Sequence, residues 1–198
     1  SAQVGGRIIP AVNTYAWKTR KRESRGGLEE VVPNVDIYLD TSGSMPNPLE
    51  QISLPVLSGF VVAKKAHRKG ASVRATTFSG EEQSETQETT RDLYSAFEKL
   101  VKHFGGGTVF PTNALLECTQ DPRQALIITD TFIANAKETG EAVSEFIKRN
   151  KGNRVTVYAV HDAPDASYLR NAGAEVIIDT STNIFKRTIG KADEVYSQ

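Results

Sequence analysis

Cysteine is almost missing from this chain. Cys118 is the only one in 198 residues, so no intrachain disulfide can form, which suits a reducing compartment. Net charge is missing too: Lys plus Arg and Asp plus Glu each total 24. No overall field favours nucleic acid or a membrane surface, and a charge-driven partner has to meet a local patch. No apolar run approaches the ~20 residues of a membrane-spanning helix. The chain opens Ser1-Ala2-Gln3 without Met, and no basic-then-apolar leader follows. Ser1 therefore reads as a processed or cut end, and the expected location is cytoplasmic.

What is present suits one domain with a substantial core. Residues 1–34 stand apart. They hold Gly5-Gly6, Pro10, Gly26-Gly27 and Pro33 around a basic cluster of Lys18, Arg20, Lys21, Arg22 and Arg25. This is a basic extension or linker, read either as a solvated arm or as a docking arm for an acidic surface. Ile8, Ile9, Val12, Tyr15 and Trp17 imply that part of it packs.

From residue 35 to residue 198 strands and helices alternate. Residues 35–39 form a short apolar run with Asp36 inside it, and read as a buried strand. A helix follows in which Leu57, Phe60 and Val61 recur with His67 or Lys64. Starting it near Ser53 leaves Pro55 in the first turn, where proline is tolerated, and Gly70 closes it. Residues 72–78 read as a strand. Residues 82–89 are polar and threonine-rich, which fits an exposed antiparallel edge strand. Asp92 caps a helix reaching Val101, and a short helix spans 113–118. Then come a strand at 125–129, a helix at 136–149, a strand at 154–160, a short helix at 166–171 closed by Gly173, a strand at 175–178 and a last helix beginning near Ile184. The expected architecture is α/β: a doubly wound, mostly parallel six-stranded sheet with one antiparallel edge strand and helices on both faces.

Five oxygen side chains fall at the carboxyl ends of these strands. Asp40, Ser42 and Ser44 stand in Asp-Thr-Ser-Gly-Ser, Thr108 follows Gly105-Gly106-Gly107, and Asp130 closes Ala-Leu-Ile-Ile-Thr-Asp. An open α/β sheet builds its binding crevice there. Alternate residues of the first turn can converge on one point, and the glycines permit close approach of backbone to a ligand. Two carboxylates and three hydroxyls, with no His or Cys, suit a hard divalent cation. The alternative for Asp40, Ser42 and Ser44 is a helix cap and turn. No Gly-Lys-Ser/Thr follows the glycines, which argues against a nucleotide P-loop.

Taken together, Val-Asp-Ile-Tyr-Leu-Asp-Thr-Ser-Gly-Ser-Met, Gly-Gly-Gly-Thr and Leu-Ile-Ile-Thr-Asp resemble a von Willebrand factor A (vWA) domain from residue 35 onward. The family's metal-ion-dependent adhesion site, Asp-x-Ser-x-Ser with a distant Thr and Asp, is matched in order at Asp40, Ser42, Ser44, Thr108 and Asp130. Thr131 departs from the Gly that many relatives carry. The resemblance implies a Rossmann-like fold and a bound Mg²⁺, with Mn²⁺ or Ca²⁺ as alternatives. It also implies capture of an Asp or Glu of a protein partner, in an intracellular assembly with an AAA+ ATPase, by a chain that is not itself an enzyme. Two other readings stay open. One is a non-catalytic subunit of a metal-chelatase complex, on the likeness of the basic lead-in Lys-Thr-Arg-Lys-Arg-Glu-Ser-Arg-Gly-Gly. The other is a metal-dependent hydrolase with His161 as base and Arg123 approaching in space.

Other residues have plainer expectations. His161-Asp162 is a polar loop or a partner-contacting pair. His67 and His103 are surface groups at helix ends, and Cys118 is a buried helix residue. Glu81, Glu82, Glu85 and Glu88 form a solvated edge. Met45, Pro46, Phe110 and Pro111 either form an apolar collar around the partner's carboxylate or only shape the loops.

Overall fold

A computed structural model of the chain describes residues 20–24, 27–117, 121–160 and 164–196. Ile8, Ile9, Val12, Tyr15, Trp17, Lys18, Arg25, Cys118, His161 and Asp162 lie outside the described residues. Two strands lie within the region expected to be a basic extension. β1 (Arg20–Ser24) and β2 (Gly27–Val31) form a separate two-stranded antiparallel sheet whose register sets Arg22 opposite Glu29 and Lys21 opposite Glu30. A strand this charged shows no apolar alternation, so the sequence pattern gave no sign of it.

The domain begins with β3 (Asn34–Asp40), α1 (Leu54–Arg68), β4 (Val73–Phe78), β5 (Ser84–Thr86), α2 (Leu93–Leu100) and α3 (Thr112–Leu116). It continues with β6 (Arg123–Thr129), α4 (Ala136–Arg149), β7 (Arg154–Ala159), α5 (Ala166–Asn171), β8 (Glu175–Ile178) and α6 (Ser181–Tyr196). The six-stranded sheet runs β5-β4-β3-β6-β7-β8, parallel except for β5. The chain winds outward from β3 through β4, then returns to the other side of β3 with β6. The β3/β6 boundary is therefore the point where winding reverses and a crevice opens at the carboxyl edge.

Alternation along β3 divides the core. Val35, Ile37 and Leu39 pack with apolar residues of α1, α2 and α6, while Tyr38 faces Phe110, Ala114, Leu115, Val143 and Phe146 on the side of α3 and α4. This period of two in a central strand buries both faces of the sheet. Helix α1 starts as its sequence dictates. The Ser53 hydroxyl accepts from the Val56 amide, and Pro55 occupies the first turn, where a missing N–H leaves no hydrogen bond unmade. Gly70 ends it with φ +80°. Strand β5 is shorter than expected because Glu82 takes φ +56° in the turn before it. The chain still runs beside β4 to Thr90, where Thr90 and Val73 exchange backbone hydrogen bonds.

Asp36, noted only as a polar residue within a strand, is wholly buried and paired with Arg74 of β4 and Arg123 of β6. Arg74 also donates to the Tyr38 hydroxyl (2.6 Å) and the Ala114 carbonyl (2.5 Å). Arg123 opens β6, so it stands at the amino end of the sheet. Four residue steps along β3, about 13 Å of strand, separate its partner Asp36 from Asp40. The expectation that Arg123 approaches the crevice is therefore wrong.

Candidate metal centre at the carboxyl edge

Each element delivers its candidate residue to the same rim. Asp40 is the last residue of β3, and Asp130 directly follows β6. Within the first loop the Ser42 amide donates to Asp40 Oδ1 (2.9 Å), and Ser42 Oγ lies 3.1 Å from Ser44 Oγ. The Ser44 hydroxyl crosses to Asp130 Oδ2. Four of the five residues are thus joined by short polar contacts across two strands. Thr108 stands in the adjoining glycine loop, and its hydroxyl makes no hydrogen bond among the described residues.

The loops are bonded to one another by backbone. Gly43 donates to the Gly106 carbonyl and Gly105 to the Thr41 carbonyl, each at 2.9 Å. A Cβ on Gly43 would sit 3.1 Å from the Gly105 oxygen, closer than side chains ordinarily come. At Gly106 a Cβ would lie 2.3 Å from Gln83 Oε1, the movable end of a side chain, and 3.0 Å from Ser79 Oγ. The carbonyl of Thr108 accepts from Ala134, and Val109 donates to the Ser79 carbonyl, which ties the glycine loop to the loops after β6 and β4.

Three positioning residues were not singled out in the sequence. Thr129 donates to Asp40 Oδ2 (2.6 Å), so β6 orients the carboxylate of β3. Ser79 Oγ accepts from Gly106 and donates to the Gly107 carbonyl, fixing the glycine turn. Asn135 bonds both backbone groups of Phe110 at 2.9 Å. The signal available was position: Thr129 and Ser79 are small polar residues at or just beyond a strand's carboxyl end, and Asn135 directly precedes α4.

Thr131 adopts φ +68°, in the left-handed region that a β-branched residue seldom enters. That is the physical reason a glycine fits this position. Here the threonine is fully buried, its hydroxyl donates to the Asp130 carbonyl and its amide to Thr129 Oγ1. The surrounding bonds hold the strained residue, and the Phe132 amide still reaches Asp130 Oδ1 (3.1 Å).

Electrostatically the rim is one-signed. The loops after β3, β4, β6 and β7 (residues 41–53, 79–83, 130–135 and 160–165) and the glycine loop (104–111) contain no Lys or Arg and carry Glu50, Glu81, Glu82, Asp162 and Asp165 besides Asp130. Asp40 is 2% exposed and Asp130 1%. Burial holds the Asp40 carboxyl above its ordinary range. Hydrogen bonds from Thr129 and Ser42 pull it back, and the Asp130 charge pushes it up again. Two sealed carboxylates without a nearby cationic side chain, set among hydroxyls, are a donor set that fits a hard divalent ion. The described residues hold no group of three or more His, Cys, Asp or Glu side chains placed to share an ion.

Several neighbours differ from expectation. Met45 is 5% exposed and Phe110 1%, so both are core and form no collar. Glu85 is bound by Lys99 of α2 and by Lys102 just beyond it instead of lying free at the edge. His103 is half-buried, and its Nδ1 is sealed without a hydrogen-bond partner among the described residues. His67 lies in the last turn of α1, as expected.

Neither a protein-family model nor a curated protein sequence matches the chain. Solved structures do. The chain matches the SpRpn10 VWA domain with a TM-score of 0.56 at 13% identity, over 79% of this chain and 95% of that one. The fold is that of a von Willebrand factor A domain. The vWA fold is shared with the manganese-loaded TRAP protein of Plasmodium vivax, at TM-score 0.54 and 17% identity over 79% of this chain and 73% of that one. It is shared also with the pilus adhesin SpaC of Lactobacillus rhamnosus GG, at 0.63 and 12% over 85% of this chain and 30% of that one. Identities this low carry the vWA fold and nothing of a ligand set.

Proposed function

We propose that the chain is a metal-dependent protein-interaction module. Asp40, Ser42, Ser44, Thr108 and Asp130 hold a divalent cation, Mg²⁺ in first place, and an Asp or Glu of a protein partner joins the same ion. The observation that carries this reading is the bonded set Ser42–Ser44–Asp130 with Asp40 beside it, on a rim without Lys or Arg. Neutral hydroxyl ligands leave part of the ion's charge uncompensated, which is the chemistry that attracts an outside carboxylate. A manganese-loaded protein and a pilus adhesin among the fold neighbours support the reading.

On this proposal the chain performs no catalysis. Arg123, the cation a hydrolase would need for a phosphoryl group, is committed to Asp36 at the far end of the sheet. The resemblance extends the proposal to an AAA+ ATPase as partner, in a cytoplasmic assembly. The test is capture of that partner with Mg²⁺ present and after EDTA. Capture lost on chelation and in Asp40→Ala is the expected result. Capture indifferent to both would refute the reading.

A further inference from the structure

Resting on that reading, we infer that the carboxylate bound at this site is flanked, in the partner, by apolar side chains that pack on Leu49, Ile52 and Phe132. The loops of the rim carry two sets of apolar residues. Met45, Phe110 and Ile133 point inward and are at most 5% exposed; they anchor the loops to the core. Leu49, Ile52 and Phe132 are 78%, 80% and 57% exposed, so the fold gains little from them. Single exposed apolar residues are ordinary. Here three of the five large apolar side chains found exposed among the described residues belong to the two loops that supply Asp40, Ser42, Ser44 and Asp130.

Their exposure belongs to an ordered backbone. The Asn47 side chain accepts from the Leu49 amide (3.0 Å), and the Asn47 carbonyl accepts from Glu50 and Gln51. Ser53, next to Ile52, caps α1. Phe132 is the residue whose amide binds Asp130. Charge decides which partner fits. Rim loops that bear Glu50, Glu81, Glu82, Asp162 and Asp165 without Lys or Arg repel an acidic segment everywhere except at the ion. A strongly acidic peptide is therefore disfavoured, and a lone Asp or Glu among apolar neighbours is favoured. Burying those neighbours supplies the remaining affinity, since each large side chain removed from water is worth roughly tenfold or more in binding.

The test is selection from a random heptapeptide library with a fixed central Asp or Glu, on the immobilised chain in Mg²⁺, in EDTA, and on the triple variant Leu49→Ser/Ile52→Ser/Phe132→Ser. Enrichment of Leu, Ile, Phe, Val or Met beside the acid is expected in Mg²⁺ only, and its loss in the triple variant. The triple variant should keep its Mn²⁺ affinity, which shows that the site itself is intact. EDTA-sensitive binding without apolar enrichment, or enrichment that survives in the triple variant, overturns this inference and leaves the metal reading standing. Selection unaffected by EDTA, or no selection at all, overturns both.

Discussion

Asp40 carries a cost that its surroundings only partly offset. Its carboxyl is nearly sealed from water, faces Asp130, and receives hydrogen bonds from Ser42 and Thr129. A carboxyl whose pKa is raised in the folded state keeps its proton longer there than in the unfolded chain. The native state is then favoured below the unfolded value, and that advantage is lost as pH rises through the raised one. A neutral Asn at this position escapes the loss. Asp40→Asn should therefore raise the thermal midpoint of the metal-free protein at neutral pH, with no difference near about pH 3, where the carboxyl is protonated in both states. The same variant should abolish stabilisation by Mg²⁺. Scanning calorimetry across pH reads both effects. A midpoint lowered at neutral pH would mean that the charged form is held favourably without an ion. At this scale the contacts among Asp40, Ser42, Ser44 and Asp130 were legible beforehand, because an Asp, two Ser and a Gly in one turn leave a recognisable spacing. Not legible were Thr129, Ser79 and Asn135, whose bonds reach residues distant in the chain, nor the division of Met45 and Phe110 from Leu49, Ile52 and Phe132. Inward and outward apolar residues look alike until the loops are folded.

Among the elements, β3, β4 and β6 are joined twice, once at each end. The carboxyl end is joined by the bonded loops, and the amino end by the buried Arg74–Asp36–Arg123 set. Removing Asp36 would leave two buried guanidinium groups without their carboxylate. Asp36→Ala should cost about 3–5 kcal/mol in urea unfolding, with Mn²⁺ affinity unchanged under native conditions. An equal loss of metal affinity would mean that the two ends of the sheet are coupled. Periodicity located all six strands of this sheet and its helices. It placed the start of β6 two residues late, because Arg123 and Gln124 are polar but buried, and it missed β1 and β2 because strands this charged show no apolar alternation. At the start of β6 the cause is that a polar residue whose partner sits on another strand carries no local sign of being inside.

For the whole molecule, the winding reversal at β3/β6 sets the site. It brings Asp40 and Asp130, 90 residues apart in the chain, onto neighbouring strands, and five parallel strands aim their loops at one rim. Zero net charge hides the uneven distribution that results, since the carboxyl rim lacks Lys and Arg while basic residues crowd elsewhere, as at Lys64, Lys65, Arg68 and Lys69. The rim therefore concentrates cations locally although the molecule as a whole does not. The most direct measurement is a Mn²⁺ titration of the chain followed by electron paramagnetic resonance, with Ser44→Ala and Asp130→Ala in parallel. One ion bound per chain, displaced by Mg²⁺ and weakened at least tenfold in each variant, is the predicted result. No bound ion, or one whose affinity ignores both substitutions, would contradict the account.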